Sequence, residues 1–124
     1  MQNEEANDMS GMNMRGGNLR CSNLSGYLLD DADICSADFT GANLSDASMR
    51  GVEAKYSRMV DCSLAGADLT YANFTAANLS NADLTGAIVR FAIFSKANLS
   101  GIKGYTEDEL LRAADVQEEW VLKT

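Results

Sequence analysis

The sequence predicts an all-β solenoid, in which short extended segments and corners repeat along one axis. An apolar residue recurs at every fifth position from Met14 to Leu99 without a slip. The residue two places before it is alanine in 11 of these 18 units, and the two places after it are mostly Ser, Thr, Gly or charged. A period of five fits neither a helix nor an ordinary strand, so each unit must place its apolar residue inward and then turn.

The position within a unit predicts which way each side chain faces. We number the positions from −2 to +2 around the central apolar residue. Side chains at −2 and 0 point to the same side of an extended backbone, so a small and a large residue both face inward. The residue at −1, mostly Asn or Asp, faces solvent, and positions +1 and +2 form the corner.

Several units match the repeat of a known family. Ala37-Asp38-Phe39-Thr40-Gly41 and Ala82-Asp83-Leu84-Thr85-Gly86 resemble the A(D/N)LXX pattern of pentapeptide-repeat proteins. The resemblance covers about 90 of the 124 residues and implies a right-handed quadrilateral parallel β-helix with four repeats to a coil. Residues 20 apart then become neighbours, and the 18 units form about four and a half coils.

The predicted core contains ladders of central residues from successive coils. In the ladder that holds Ala54, this small side chain would leave a void costing about 2 kcal/mol. Val52, at −2 of the same unit, replaces the usual alanine, so volume moves from one inward position to the other. The residues assigned to the core ladder are Ile34, Phe39, Val52, Ala54, Phe74 and Phe94.

The chain divides into three predicted segments: a flexible leader over 1–11, the repeats over 12–103, and a linker with a C-terminal capping helix over 104–124. The leader is polar and shows no repeat register. Thr106 and Glu109 form a capping box, which starts a helix from about residue 107 to 121. That helix would carry Leu110, Ala113, Ala114, Trp120 and Val121 toward one side and cap the last coil.

Charge and composition limit the classes of partner. Of the net charge of −8, the residues before Met14 contribute −3, those from Thr106 onward −4, and the repeats only −1. We expect no nucleic-acid binding, because that needs a basic face. We expect no signal peptide or membrane span, because the apolar runs are only a few residues long.

Three cysteines without CxxC spacing predict free thiols, with Cys62 facing the core and Cys21 and Cys35 facing outward. They favour a cytoplasmic location. A thylakoid or plastid lumen is the alternative if the chain is a processed form.

Catalytic chemistry has little support in the sequence. The chain has no histidine, which removes the commonest proton shuttle and metal ligand and leaves Ser and Thr without an activating base. A cluster of aspartates formally allows paired-carboxylate chemistry or a weak cation site, although solvated corner residues are the favoured interpretation. Its members are Asp30, Asp31, Asp33, Asp38 and Asp46. We expect no enzymatic activity, cofactor or metal.

Leu28 and Tyr56 are isolated apolar residues on the predicted exterior, whereas four others lie together: Tyr71, Ile88, Phe91 and Ile93. Tyr71 and Phe91 are 20 apart at one corner, and the two isoleucines stand at −1, where Asn or Asp is usual. These four form the candidate interaction patch for another protein or a second copy. The alternative, which the sequence favours slightly, is that the linker or the C-terminal helix covers them.

The favoured function is therefore a non-enzymatic protein-protein interaction or scaffold module, acting as a monomer or weak homodimer. The resemblance also implies an alternative, a DNA mimic that binds a type II topoisomerase (DNA gyrase), as the quinolone-resistance members do. Those members are acidic along the shaft, longer, and joined as dimers at their C-terminal ends. Here the repeats are nearly neutral and few, and a charged helix follows them.

Overall fold

The computed structural model describes residues 7–115, and these form a parallel β-helix with a helical end. Sixteen parallel bridges join residues 20 apart, the first between Asp8 and Leu28 and the last between Asp83 and Lys103. Each bridge is a single residue at position −1, and the described part of the chain contains no longer strand. The 20-residue spacing is four units of five, so the four-repeat coil is confirmed.

One unit, residues 42–46, shows how the backbone is paired. Three of its N–H groups, at positions −1, 0 and +2, donate to carbonyls of the coils on either side at 2.8–2.9 Å, and the N–H at −2 donates to a carbonyl across the preceding corner at 2.9 Å. The fifth N–H, of Ser45, donates to the Asn43 side chain at 3.0 Å. Every backbone donor of the unit therefore has a partner, as buried amides require.

Asn and Asp at −1 have this role throughout the shaft. In 12 units the side-chain oxygen at −1 accepts the N–H of position +1, two residues later. Asn and Asp commonly make this local bond at turns. The preference for Asn and Asp at this position thus comes from corner formation as well as from solvent exposure.

The corners all have the same backbone conformation. Every residue at +2 from Gly11 to Gly101 has φ between +58° and +74°, and eleven of these nineteen residues are not glycine. The left-handed region costs an L-residue roughly 1–2 kcal/mol. The assignment of positions +1 and +2 to the corner is confirmed, and so is the reason for the many glycines there.

The interior contains the residues that the sequence placed there. Val52 and Ala54 are both fully buried, which confirms that positions −2 and 0 face inward together. Ile34 and Phe39 are also fully buried, and the rings of Phe74 and Phe94 stack with centroids 5.3 Å apart and planes inclined by 4°. A polar exception is Ser57 at −2, whose buried hydroxyl has no hydrogen-bond partner.

The coils begin before residue 12, so part of the predicted leader belongs to the shaft. Asp8 bridges Leu28, the Met9 N–H donates to the Leu28 carbonyl at 2.7 Å, and Gly11 has φ +70°. Met9 lies five residues before Met14 and is half-buried against the core. A single additional unit carries too little periodicity to be recognised in the sequence. Residues 1–6 of the predicted leader lie outside the described residues.

The repeat register ends at Gly104, which stands at a central position. Its φ is +93°, and a Cβ there would lie 2.5 Å from the backbone nitrogen of Thr85. The chain therefore leaves the coil at a residue that only glycine fits. The next residue, Tyr105, anchors the linker by donating its hydroxyl to the Ala87 carbonyl at 2.6 Å.

Helix α1 (Glu107–Leu111) follows, and a 3₁₀ turn spans Ala113–Asp115. Both hydrogen bonds of the predicted capping box are present, and Leu110 and Ala113 are buried in the core cluster. The prediction for Ala114 is wrong, since it is exposed. The reason is that α1 ends at Leu111, with Arg112 as its C-cap, and the chain then tightens into the 3₁₀ turn, so the helical period no longer places Ala114. Trp120 and Val121 lie outside the described residues.

Candidate interaction surface

Two aromatic rings stack on the outside of the shaft, at the corner formed by Tyr71 and Phe91. Their centroids are 5.1 Å apart and their planes are inclined by 16°. Tyr71 is 63% exposed and Phe91 is half-buried. We call this pair the outer stack. It lies at a corner because both residues occupy position +2, with φ of +62° and +60°.

The outer stack borders an open groove of about 320 Å³ on the face that precedes this corner. Ile88 lies in the groove and is 44% exposed. Ile93 does not line it, because the corner at Phe91 separates it from Ile88 and places it, half-buried, on the next face. Three of the four predicted patch residues are therefore brought together. The groove is lined by Arg50, Asp68, Thr70, Tyr71, Ile88, Arg90 and Phe91.

Arginines at position +1 follow a rule along the shaft: each pairs with the carboxylate 18 residues later, at −1 of the next coil. Arg15 lies 3.0 Å from Asp33 and Arg20 lies 3.1 Å from Asp38. On the groove itself, Arg50 lies 3.7 Å from Asp68. These exposed pairs contribute little to stability individually, but each arginine neutralises the carboxylate that it contacts.

Arg90 is the exception to this rule. Its counterpart 18 residues later is Asp108, which belongs to α1 and pairs with Arg112 at 3.2 Å. Within residues 7–115, no carboxylate lies within salt-bridge distance of Arg90. Its guanidinium carbon instead lies 5.9 Å from the centroid of the Phe91 ring. An arginine with no carboxylate partner among residues 7–115 therefore lies beside the outer stack.

Ile88 removes the usual side-chain acceptor at position −1 from the unit that contains Arg90. It occupies −1, where an Asn or Asp would accept the N–H of position +1, and its side chain has no acceptor to offer Arg90. The sequence does show this substitution. The exceptional status of Arg90, in contrast, can be recognised only from the structure, which shows that an arginine at +1 contacts the residue 18 positions later.

The linker and α1 leave this surface open. Tyr105 anchors at Ala87, the residue directly before Ile88, and Leu110 and Ala113 are buried over the core. Residues 104–115 nonetheless leave Tyr71 and Ile88 exposed. The linker and the described part of the C-terminal helix therefore do not cover the patch, and the rest of that predicted helix lies outside the described residues.

Three members of the predicted aspartate cluster, Asp30, Asp33 and Asp38, accept local hydrogen bonds. The other two, Asp31 and Asp46, stand at +2 corners. Asp30 accepts from the Ser48 hydroxyl at 2.6 Å and from the Arg50 N–H at 3.0 Å. Hydrogen bonds from Thr40, helped by Arg20, lower the pKa of Asp38 to about 2. Across residues 7–115, no group of three or more His, Cys, Asp or Glu side chains is arranged to hold a metal.

The three cysteines are free, but one of them is placed differently from the prediction. Cys21 is exposed and Cys62 is buried, as expected, and burial raises the pKa of Cys62 to about 12. Cys35 is buried rather than outward-facing, beside Asp33 and Arg15, and burial raises its pKa.

No described helix has the length and apolar character needed to cross a membrane.

Comparison with known families agrees with this geometry. The family model for pentapeptide repeats matches residues 28–64 and 62–101, with eight copies of the repeat. The chain belongs to the pentapeptide-repeat family. Members of this family are typically structural or interaction modules. A search of curated proteins finds no match to this sequence.

Solved pentapeptide-repeat structures resemble the chain. A protein from the Arabidopsis thaliana thylakoid lumen is 27% identical with a TM-score of 0.55, over 87% of this chain and 77% of that one. QnrB1, a plasmid-mediated fluoroquinolone resistance protein, is 25% identical with a TM-score of 0.55, over 77% and 58%. HetL, involved in heterocyst differentiation regulation in Nostoc sp. strain PCC 7120, is 20% identical with a TM-score of 0.50, over 78% and 59%. This pentapeptide-repeat chain thus spans less than two thirds of HetL and QnrB1.

Proposed function

We propose that this pentapeptide-repeat protein is a non-enzymatic interaction module that binds another protein through the groove beside the outer stack. The observation that carries the proposal is the concentration of irregular features in one place. Tyr71 and Ile88 are the exposed apolar residues of the groove, and Arg90 has no carboxylate partner within residues 7–115. Aromatic residues and arginine are enriched where proteins bind one another.

The chemistry of the groove indicates what a partner would present. A carboxylate would pair with the Arg90 guanidinium, and an aromatic or aliphatic side chain would pack on Tyr71 and Ile88. Arginine already lying against an aromatic ring loses little freedom when it binds a carboxylate. A segment with acidic and aromatic residues side by side therefore fits this surface.

The test is affinity capture from native lysate with the full chain and a Tyr71→Ser/Phe91→Ser variant. Tyr56→Ser is the matched control, because Tyr56 also occupies a +2 corner, with φ +62°, and is 66% exposed, but lies outside the groove. We expect the double variant to lose partners that the wild-type chain and Tyr56→Ser recover equally. Equal recovery by all three chains would contradict the proposal.

A DNA mimic that acts on DNA gyrase is the second candidate, and the likeness to QnrB1 favours it. The arginine pairs count against it, because Asp33, Asp38 and Asp68 are each neutralised by an arginine of the preceding coil. A gyrase supercoiling assay with purified full chain separates the two candidates. A dose-dependent effect would support the mimic, and its absence would support the interaction module.

We also propose a reducing, cytoplasmic location and a monomer or weak homodimer. The free thiols of Cys21, Cys35 and Cys62 support the location. The thylakoid lumen is the alternative, because one similar structure comes from that compartment.

A further inference from the structure

We propose that the groove beside the outer stack is occupied by segment 116–124 of the same chain, which thereby competes with a partner protein. This inference rests on the proposed function, because it adds regulation to the same surface. The segment lies outside the described residues; its sequence and the position of the residues that precede it support the proposal.

The segment has the chemistry that the groove requires. Glu118 and Glu119 stand directly before Trp120 and Val121. The carboxylates match the guanidinium of Arg90, and the indole matches the apolar lining formed by the outer stack and Ile88. An arginine-carboxylate hydrogen bond is among the stronger polar contacts in proteins, and tryptophan is the residue that most often anchors an interface.

The anchor of the linker and the length of the segment allow this contact. The Tyr105 hydroxyl bonds the carbonyl of Ala87, the residue before Ile88, so the linker leaves the shaft on the face that carries the groove. Leu110 and Ala113 are buried in the core cluster, which places α1 and the 3₁₀ turn over the last coil. One side of a coil is a five-residue unit, at most about 17 Å long, and the five residues from Asp115 to Trp120 span the same distance when extended.

Contact within one chain is favoured over contact between two copies. A short tether gives the attached segment an effective concentration in the millimolar range. A second copy, or an unrelated acidic protein, reaches that concentration only in concentrated samples. The tethered segment would therefore weaken the binding of a partner, and a partner at high enough concentration would still displace it.

Trp120 provides the test, because it is the only tryptophan of the chain. We would measure the emission and acrylamide quenching of Trp120 in the full chain at low concentration. The variant is Ile88→Asp, which installs the usual residue of position −1 and so preserves the coil. Tyr56→Ser is the control. We expect wild type and control to show blue-shifted emission, with quenching several-fold weaker than in Ile88→Asp.

Three results would overturn the inference: Trp120 fully accessible in the wild-type chain, Trp120 protected equally in wild type and Ile88→Asp, or protection that disappears on dilution. The last result would assign the contact to a second copy. None of these three results changes the outcome of the affinity-capture experiment, which measures the recovery of partner proteins. Conversely, a chain that captures no partner but protects Trp120 through Ile88 would support this inference and contradict the proposed function. Should both hold, Trp120→Ser is expected to increase partner recovery.

Discussion

Within residues 7–115, two aromatic pairs stack with nearly the same geometry and opposite surroundings. Phe74 and Phe94 stack inside the shaft at 5.3 Å, and both are buried. Tyr71 and Phe91 stack outside at 5.1 Å, with Tyr71 63% exposed. Both distances follow from the inter-strand spacing of about 4.8 Å, which sets residues 20 apart one above the other.

The comparison shows that the coil spacing creates both stacks, whereas their roles depend on burial. The inner stack removes two phenyl rings from water and stabilises the fold. The outer stack occupies left-handed corners, which L-residues adopt at a cost, and it leaves apolar surface exposed. We infer that the inner pair serves stability and the outer pair serves binding.

The largest expected effect is on the free energy of unfolding. Phe74→Ala should lower it by about 3–5 kcal/mol, because a large buried side chain is lost and a cavity remains. Tyr71→Ala should change it by less than about 1 kcal/mol, because that ring is mostly exposed. Denaturant unfolding of both full-length variants measures the difference. Equal losses would remove the distinction between the two stacks.

The inner ladder can be tested through its volume swap. Val52→Ala should cost about 2 kcal/mol through lost burial and a cavity, and Ala54→Val about 1–3 kcal/mol through overpacking. In the double variant the two changes should compensate by about 1 kcal/mol or more, because both side chains face the same part of the core. Unfolding free energies of the four chains form the double-mutant cycle. Strictly additive costs would show that the two positions do not share space.

Ser57 allows an improvement of the interior. Its hydroxyl is buried without a hydrogen-bond partner, at a position where alanine is usual. Ser57→Ala should raise the free energy of unfolding by about 1 kcal/mol, because an unsatisfied polar group is removed. Ser48→Ala is the control, since the Ser48 hydroxyl is bonded to Asp30 at 2.6 Å. That control should show no gain, and a gain as large as that of Ser57→Ala would contradict the explanation.

The smallest effect concerns pH and the outer surface. The pKa of Asp38 is about 2 in the fold, below its ordinary 3.8, chiefly because Thr40 donates to the carboxylate. The carboxylate therefore stabilises the fold above pH 3.8, and this contribution is lost as the pH falls toward about 2. Asp38→Asn keeps an acceptor for the corner. Its melting temperature should fall less steeply between pH 4 and pH 2 than that of wild type, and identical slopes would contradict the assignment.

Much of the fold could be predicted from the sequence because the interior repeats. A fixed five-residue register leaves one arrangement for the inward residues, so the core ladder and the Val52/Ala54 swap were recognisable. The start at Met9 was missed because one unit shows no periodicity. The burial of Cys35 was missed because it depends on neighbours in the preceding coil, including Arg15.

The candidate surface was only partly predictable, because it depends on contacts between coils. Tyr71, Ile88 and Phe91 stood out as apolar residues at polar positions. That Arg90 has no carboxylate partner among the described residues becomes evident only once the coil geometry gives the 18-residue pairing rule. The separation of Ile93 required the corner at Phe91 to be located in space.

Site-directed photo-crosslinking shows whether the outer stack is a binding surface. A benzoylphenylalanine would replace Tyr71 in one full-length chain and Tyr56 in another, and both would be irradiated in native lysate and mapped by mass spectrometry. We expect a discrete adduct from position 71, to a partner or to segment 116–124, and none of these adducts from position 56. The same adducts from both positions, or none from position 71, would contradict this expectation.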